Sequence, residues 1–128
     1  MEKLWIDLET FSEVPINNGT HAYAEKVEVM LMAWAIEDGP VSVWELTTGI
    51  VMPPMLYQAL ADPVIEVWAH NSHFDRTVMR HDHPELVPDV TRWRDTMVQA
   101  LAHGLPGALG ALCEVLGVPQ DKIGRAHV

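Results

Sequence analysis

The stretch that decides the fold is Lys3-Leu4-Trp5-Ile6-Asp7-Leu8-Glu9-Thr10. Leu4, Ile6 and Leu8 alternate with Trp5, Asp7 and Glu9, the period of two that puts successive side chains on opposite faces of a strand. Lys3 to Glu9 therefore reads as a strand with one apolar face. Asp7 and Glu9, two residues apart, project to the same side of it. Two carboxylates held on a strand can converge on one point, and hard divalent cations such as Mg²⁺ take oxygen ligands of this kind. An acidic pair at a strand end is also a common solvated feature, so the pair alone decides nothing.

Working outward, Thr10 to Thr20 reads as a loop rich in Ser, Pro, Asn and Gly. Val27 to Ile36 is apolar enough for a buried central strand. Asp38-Gly39 signals a tight turn, and Val41 to Leu46 resumes an extended pattern, which makes an antiparallel hairpin. Pro53-Pro54 opens a helix to about Ala61, because proline is tolerated in a helix's first turn. Asp62-Pro63 stops it. Val64 to Ala69 reads as a strand and Ser72 to His81 as a helix, with Ser72 as N-cap. Asp95 to His103 reads as a strand end running into a helix. Leu109, Leu112, Cys113 and Leu116 give one apolar helix face, closed by Gly117 and Pro119. This order predicts an α/β fold, a mixed sheet flanked by helices.

The second acidic signal is Ala69-His70-Asn71-Ser72-His73-Phe74-Asp75-Arg76, at a strand-to-helix junction. Asp75 falls in the helix's first turn, where the helix dipole favours a carboxylate for purely structural reasons. The combination is more informative than either part. Asp7-Leu8-Glu9-Thr10 followed by Asn71-Ser72-His73-Phe74-Asp75 resembles the first two motifs of the DEDD, or DnaQ-like, exonuclease superfamily. Asp95-Thr96-Met97, Gly104-Leu105-Pro106-Gly107 and Leu112-Cys113-Glu114-Val115-Leu116-Gly117 are also similar to that family. The likeness is greatest to proofreading exonuclease domains of phage-like family-A DNA polymerases, and it covers about Lys3 to Lys122.

The resemblance implies a ribonuclease H-like fold, incomplete at the C-terminus, and 3′–5′ exonuclease activity on DNA. It implies that Asp7, Glu9 and Asp75 bind two Mg²⁺ or Mn²⁺ ions. Thr10 and Phe11 would lie beside the 3′-terminal nucleotide, and Asn71 and Phe74 would line the pocket. The implied partners are a single-stranded DNA 3′ end and a polymerase domain C-terminal to this one. A free-standing exonuclease on short RNA and a non-catalytic nucleic-acid- or nucleotide-binding domain of the same fold are the alternatives.

The family's fourth acid comes in a Tyr-x-x-x-Asp or His-x-x-x-x-Asp motif, and the chain contains neither after Asp75. The reading is thus of a partial exonuclease domain over 1–122, inactive or nearly so by itself and prone to aggregate. Residues 123–128 form a tail foreign to it, because Ile-Gly-Arg-Ala-His-Val is what one frame of a common sequencing adapter encodes.

Composition bounds these expectations. The 128 residues carry a formal net charge of −10, which argues against a nucleic-acid partner unless metal ions reverse the local sign. One cysteine, Cys113, fits a reducing, cytoplasmic setting. No apolar run is long enough for a membrane span. His70, His73, His81 and His83 read as surface and pocket-edge residues rather than a zinc set. The five tryptophans and Met30, Met32 and Met55 read as core.

Overall fold

The computed structural model describes residues 3–118; the expectations for Pro119, the Lys122 boundary and the 123–128 tail lie outside the described residues. The described residues form a five-stranded mixed sheet in the order β3-β2-β1-β4-β5, with helices packed around it. The strands are β1 (Lys3–Ser12), β2 (Val27–Ile36), β3 (Ser42–Glu45), β4 (Glu66–Ala69) and β5 (Trp93–Asp95). The helices are α1 (Thr20–Ala24), α2 (Pro54–Ala61), α3 (Ser72–Asp82), α4 (Thr96–Ala102) and α5 (Leu109–Leu116). β1, β2 and β3 pair antiparallel, whereas β1–β4 and β4–β5 pair parallel. The parallel pairs need crossovers, which α2 and α3 supply. Among the described residues no helix is long and apolar enough to cross a membrane.

β1 is the centre of the sheet, and its alternation is as read: Leu4, Ile6 and Leu8 are buried in the core, with Asp7 exposed on the other face. β2 is second from the edge rather than central. Its apolar run includes two sets of opposite parity, Val27 and Val29, then Met32 and Trp34, all buried. Glu9 pairs with Leu31 but Thr10 pairs with Val29, so Met30 is an extra residue at a bulge. A bulge shifts the side-chain alternation by one, which lets both sets reach the core and turns Met30 outward.

Several expectations need correction. The stretch 10–20 is not one loop: β1 runs to Ser12, a 3₁₀ turn covers Ile16–Asn18 and α1 starts at Thr20. The fourth strand starts at Glu66, because Asp62 holds the preceding turn through the amides of Val64 and Ile65. Ser72 is not the N-cap of α3; Asn71 is, in a left-handed conformation with φ 63° and no side-chain capping bond. Asn tolerates that region better than most residues do. Met30 and Met55 are exposed, and only Met32 of the three is core. Trp34, Trp44 and Trp93 are buried, while Trp5 and Trp68 form a half-buried pair with ring centroids 5.2 Å apart. On α5 only Leu112 is buried, with Leu109 and Leu116 exposed.

One buried cation fixes the far side of the sheet. Arg92, just before β5, donates to the carbonyls of Ile65, Leu60 and Ala59 at 2.9, 2.6 and 2.9 Å. The last turn of α2 has unsatisfied carbonyls by construction, and this guanidinium satisfies two of them. It locks α2 to the start of β4 and β5 and so sets the strand ends from which α3 and α4 begin.

Candidate active site

The candidate site lies where three chain segments meet: the carboxylates of β1, the first turn of α3 and the junction of β5 with α4. Asp75 is buried, with 4% relative exposure. Its carboxyl is pushed up from the ordinary range to about 8, chiefly by burial, then by repulsion from Asp7 and Asp95, against a small opposing effect of its own backbone amide. A carboxylate in low dielectric without enough donors prefers its proton. Asp7 is thus near enough to Asp75 to be felt electrostatically. Glu9 is half-buried on the same face of β1 as Asp7. Among the described residues no three His, Cys, Asp or Glu side chains form a ready-made metal cluster.

Asp95 is the residue that sequence reasoning passed over. It is the N-cap of α4, accepting from the Met97 amide at 2.8 Å. The same carboxylate accepts from the amides of Asn71 and Ser72 at 2.9 and 2.7 Å and from the Ser72 hydroxyl at 3.0 Å. It therefore caps two helices at once, and it takes the role expected of Ser72. Burial raises its pKa, but bonds from Ser72, Met97 and Asn71 outweigh that and hold it below the usual range. The local signal was an Asp at a strand end before an apolar helix; its reach to α3 has no local signal.

The proposed pocket residues separate into two groups. Thr10, even-numbered like Leu4, Ile6 and Leu8, shares their face of β1, and its hydroxyl lies 2.9 Å from the Tyr23 hydroxyl. Phe74 is partly buried and its ring sits 5.9 Å from that of Tyr23. Tyr23 also accepts through its carbonyl from the Ser12 hydroxyl at 2.7 Å. Tyr23 thus ties the end of β1 to α3, a contact that α1, unseen in the sequence, makes possible. Phe11 is exposed, and Asn71 is exposed at the helix start.

The histidines spread over different tasks. His70 has both ring nitrogens engaged, Nδ1 at 2.9 Å from the Thr96 hydroxyl and Nε2 at 2.6 Å from the Gly107 carbonyl. Since a carbonyl only accepts, Nε2 carries the proton. This pins the Gly104–Gly107 loop against the end of β4. His73, in the first turn of α3, makes an edge contact with His21 of α1 at 5.7 Å. His83 lies 3.3 Å from both Asp82 and Glu85.

Comparison with known proteins places this arrangement. No family model matches the chain. A DNA polymerase of Bacillus phage SP02 is 36% identical over 134 aligned positions, covering 100% of this chain and 20% of the polymerase. NrnC of Brucella melitensis superposes with a TM-score of 0.66 at 22% identity, over 94% of this chain and 55% of NrnC; it has been solved with bound Mg²⁺ and bound to pGG. The EXD2 exonuclease domain superposes with a TM-score of 0.50 at 22% identity, over 94% of this chain and 60% of that domain. The chain therefore spans about a fifth of the polymerase and little more than half of the solved nucleases, and the structural likeness shows a shared fold.

Proposed function

We propose a 3′–5′ exonuclease function for this chain, which belongs to the DEDD, or DnaQ-like, exonuclease superfamily. The observation that carries the proposal is Asp75: a buried acid, raised by its burial and by Asp7, the acid of a strand whose neighbouring Glu9 faces the same way. A structural acid is normally paired or saturated with hydrogen bonds. An acid held at about 8 by burial and by another carboxylate is a group awaiting a cation.

In this reading Asp7, Glu9 and Asp75 hold divalent metal, Mg²⁺ or Mn²⁺, both found in solved structures of this fold. All their ligand atoms are hard carboxylate oxygens, which suit these ions. Two bound ions would activate water and offset charge on the attacking and leaving oxygens of the phosphodiester. The chain's own part is placement. Asp75 would give up its proton to hold a cation, the β1 backbone fixes Asp7 and Glu9 two residues apart, and the Thr10–Tyr23–Phe74 contact sets α3 against the end of β1. Phe11 and Asn71, exposed on either side, would meet the 3′-terminal nucleotide. Nucleoside 5′-monophosphates would be the products.

The polymerase relative supports DNA as substrate and a polymerase domain in the parent protein, with proofreading as the role. Action on short RNA is the second reading, favoured by a fold neighbour solved with pGG. The 128 residues hold three of the family's four acids and no Tyr-x-x-x-Asp, so turnover by this chain alone should be slow or absent. The test is Mn²⁺ titration followed by calorimetry. The chain should bind Mn²⁺ with proton release near neutral pH, and Asp7→Ala and Asp75→Asn should each weaken binding at least tenfold. Unchanged Mn²⁺ affinity in both variants would overturn the assignment.

A further inference from the structure

A second recess opens beside the candidate site, at the free edge of β5 between α3 and α4. Its volume is about 560 Å³, within the range that small-molecule ligands occupy. Trp68, Met97 and Val98 give it apolar walls, and His73, Arg76 and Arg94 bring it cationic and polar groups. The chain's net charge is −10, and two of its few arginines meet here.

The two arginines differ. Arg94 is committed: its Nε lies 3.3 Å from Glu66, and its Nη1 donates to the carbonyls of Thr91 and Trp93. Arg76 is not. Its Nε is buried, and among the described residues it finds no hydrogen-bond partner. A buried, unpaired donor on a guanidinium costs the fold free energy, and the recess that Arg76 lines is where this side chain meets solvent. Asp95 also borders the recess; its oxygens are taken by the four donors described above, so its negative charge is partly offset by their dipoles.

We propose that this recess binds one nucleotide unit of the nucleic acid, its phosphate on Arg76 and its base against the Trp68–Met97–Val98 wall. Guanidinium forks recognise phosphate with directed, charge-assisted hydrogen bonds, and an apolar wall accepts a base without reading its sequence. The site is separate from Asp7 and Glu9 and needs no metal. Its ligand class rests on the nuclease reading; the cavity and the orphaned guanidinium do not. A strand held here would lie next to Asn71, on the sheet face that Trp68 shares with Trp5 and Asp7. That would give a −10 chain a foothold on a polyanion.

The test is titration of the chain with deoxyadenosine 5′-monophosphate in excess EDTA, read by tryptophan fluorescence and calorimetry, with deoxyadenosine and inorganic phosphate as separate probes. The nucleotide should bind more tightly than either probe, and Arg76→Gln should weaken it about tenfold, the loss of one charge-assisted hydrogen bond. Arg80→Gln, an exposed arginine of the same helix, should leave binding unchanged, as should Asp7→Ala. Equal affinity of Arg76→Gln and the parent chain, or no nucleotide binding in EDTA, would overturn the proposal. Loss of metal binding in Asp7→Ala with nucleotide binding intact would keep this site apart from the fate of the nuclease reading.

Discussion

Two carboxylates begin helices at the same end of the sheet, and they behave oppositely. Asp75 in the first turn of α3 is buried and raised to about 8. Asp95, at the start of α4, is held below the usual range by bonds from Ser72, Met97 and Asn71. Helix position alone would favour a negative charge at both. The difference lies in donors. Asp95 gathers the free amides of two helix starts, whereas Asp75, buried in the first turn of α3, receives only a weaker opposing bond from its own amide. A saturated carboxylate holds structure together, and an unsaturated one is available for a cation.

The largest test of this contrast is removal of Asp95. Asp95→Ala takes the cap from α4 and the acceptor from both amides at the start of α3. Each lost cap costs about 1 kcal/mol, and buried donors left unpaired cost about 1–3 kcal/mol more. A total of about 3–5 kcal/mol should appear in the urea midpoint. A loss under about 1 kcal/mol would show that water replaces Asp95 freely and would dissolve the contrast.

Asp75→Asn should behave in the opposite sense. In chelator, the folded state holds Asp75 protonated to about pH 8, and the unfolded chain only to about 4. The stability this group contributes is complete below pH 4 and is lost as pH rises through 8. Asn carries no such penalty, so above pH 8 the variant should be more stable than the parent, by on the order of a few kcal/mol. Below pH 4 the two should converge. Parallel urea midpoints from pH 4 to 9 would show that Asp75 is solvated or paired after all. Asp95 runs the other way: its stabilisation is present above the unfolded value and fades as pH falls through its lowered one.

These two residues also show what could be read from the chain. β1, the β2–β3 hairpin, α2 and α3 follow from alternation, Asp38-Gly39, Pro53-Pro54 and helical spacing, because each signal is local. Joining Asp7 to Asp75 takes the family resemblance of the two motifs together, because the strand motif and the helix motif each have a structural explanation alone. What escaped depends on distant segments. Met30 looks like core until the bulge opposite Glu9 and Thr10 turns it outward. Tyr23 lies just past the stretch that reads as loop, where no element is expected, and its role exists only because α1 brings it to Thr10 and Phe74. Asp95 reads only as a strand end running into a helix; that it caps α4 and α3 together depends on the parallel register of Ala69 with Asp95. Ser72, with a suitable hydroxyl in a suitable place, loses the capping role to a carboxylate that can serve two amides.

That displaced serine gives the finest test of the comparison. In Ser72→Ala the amide bonds to Asp95 remain and only the hydroxyl donor at 3.0 Å is lost. The cost should be about 1.5 kcal/mol, the low end for a hydrogen bond to a charged acceptor. The sharper readout is the titration of Asp95, followed by carboxyl NMR. With three donors instead of four, burial is opposed less strongly, so its pKa should rise, one step toward the condition of Asp75. Asp75 itself should hardly respond, since its elevation comes first from its own burial. If Asp95 does not move, the amides alone set its charge and the number of donors is not what separates the two acids.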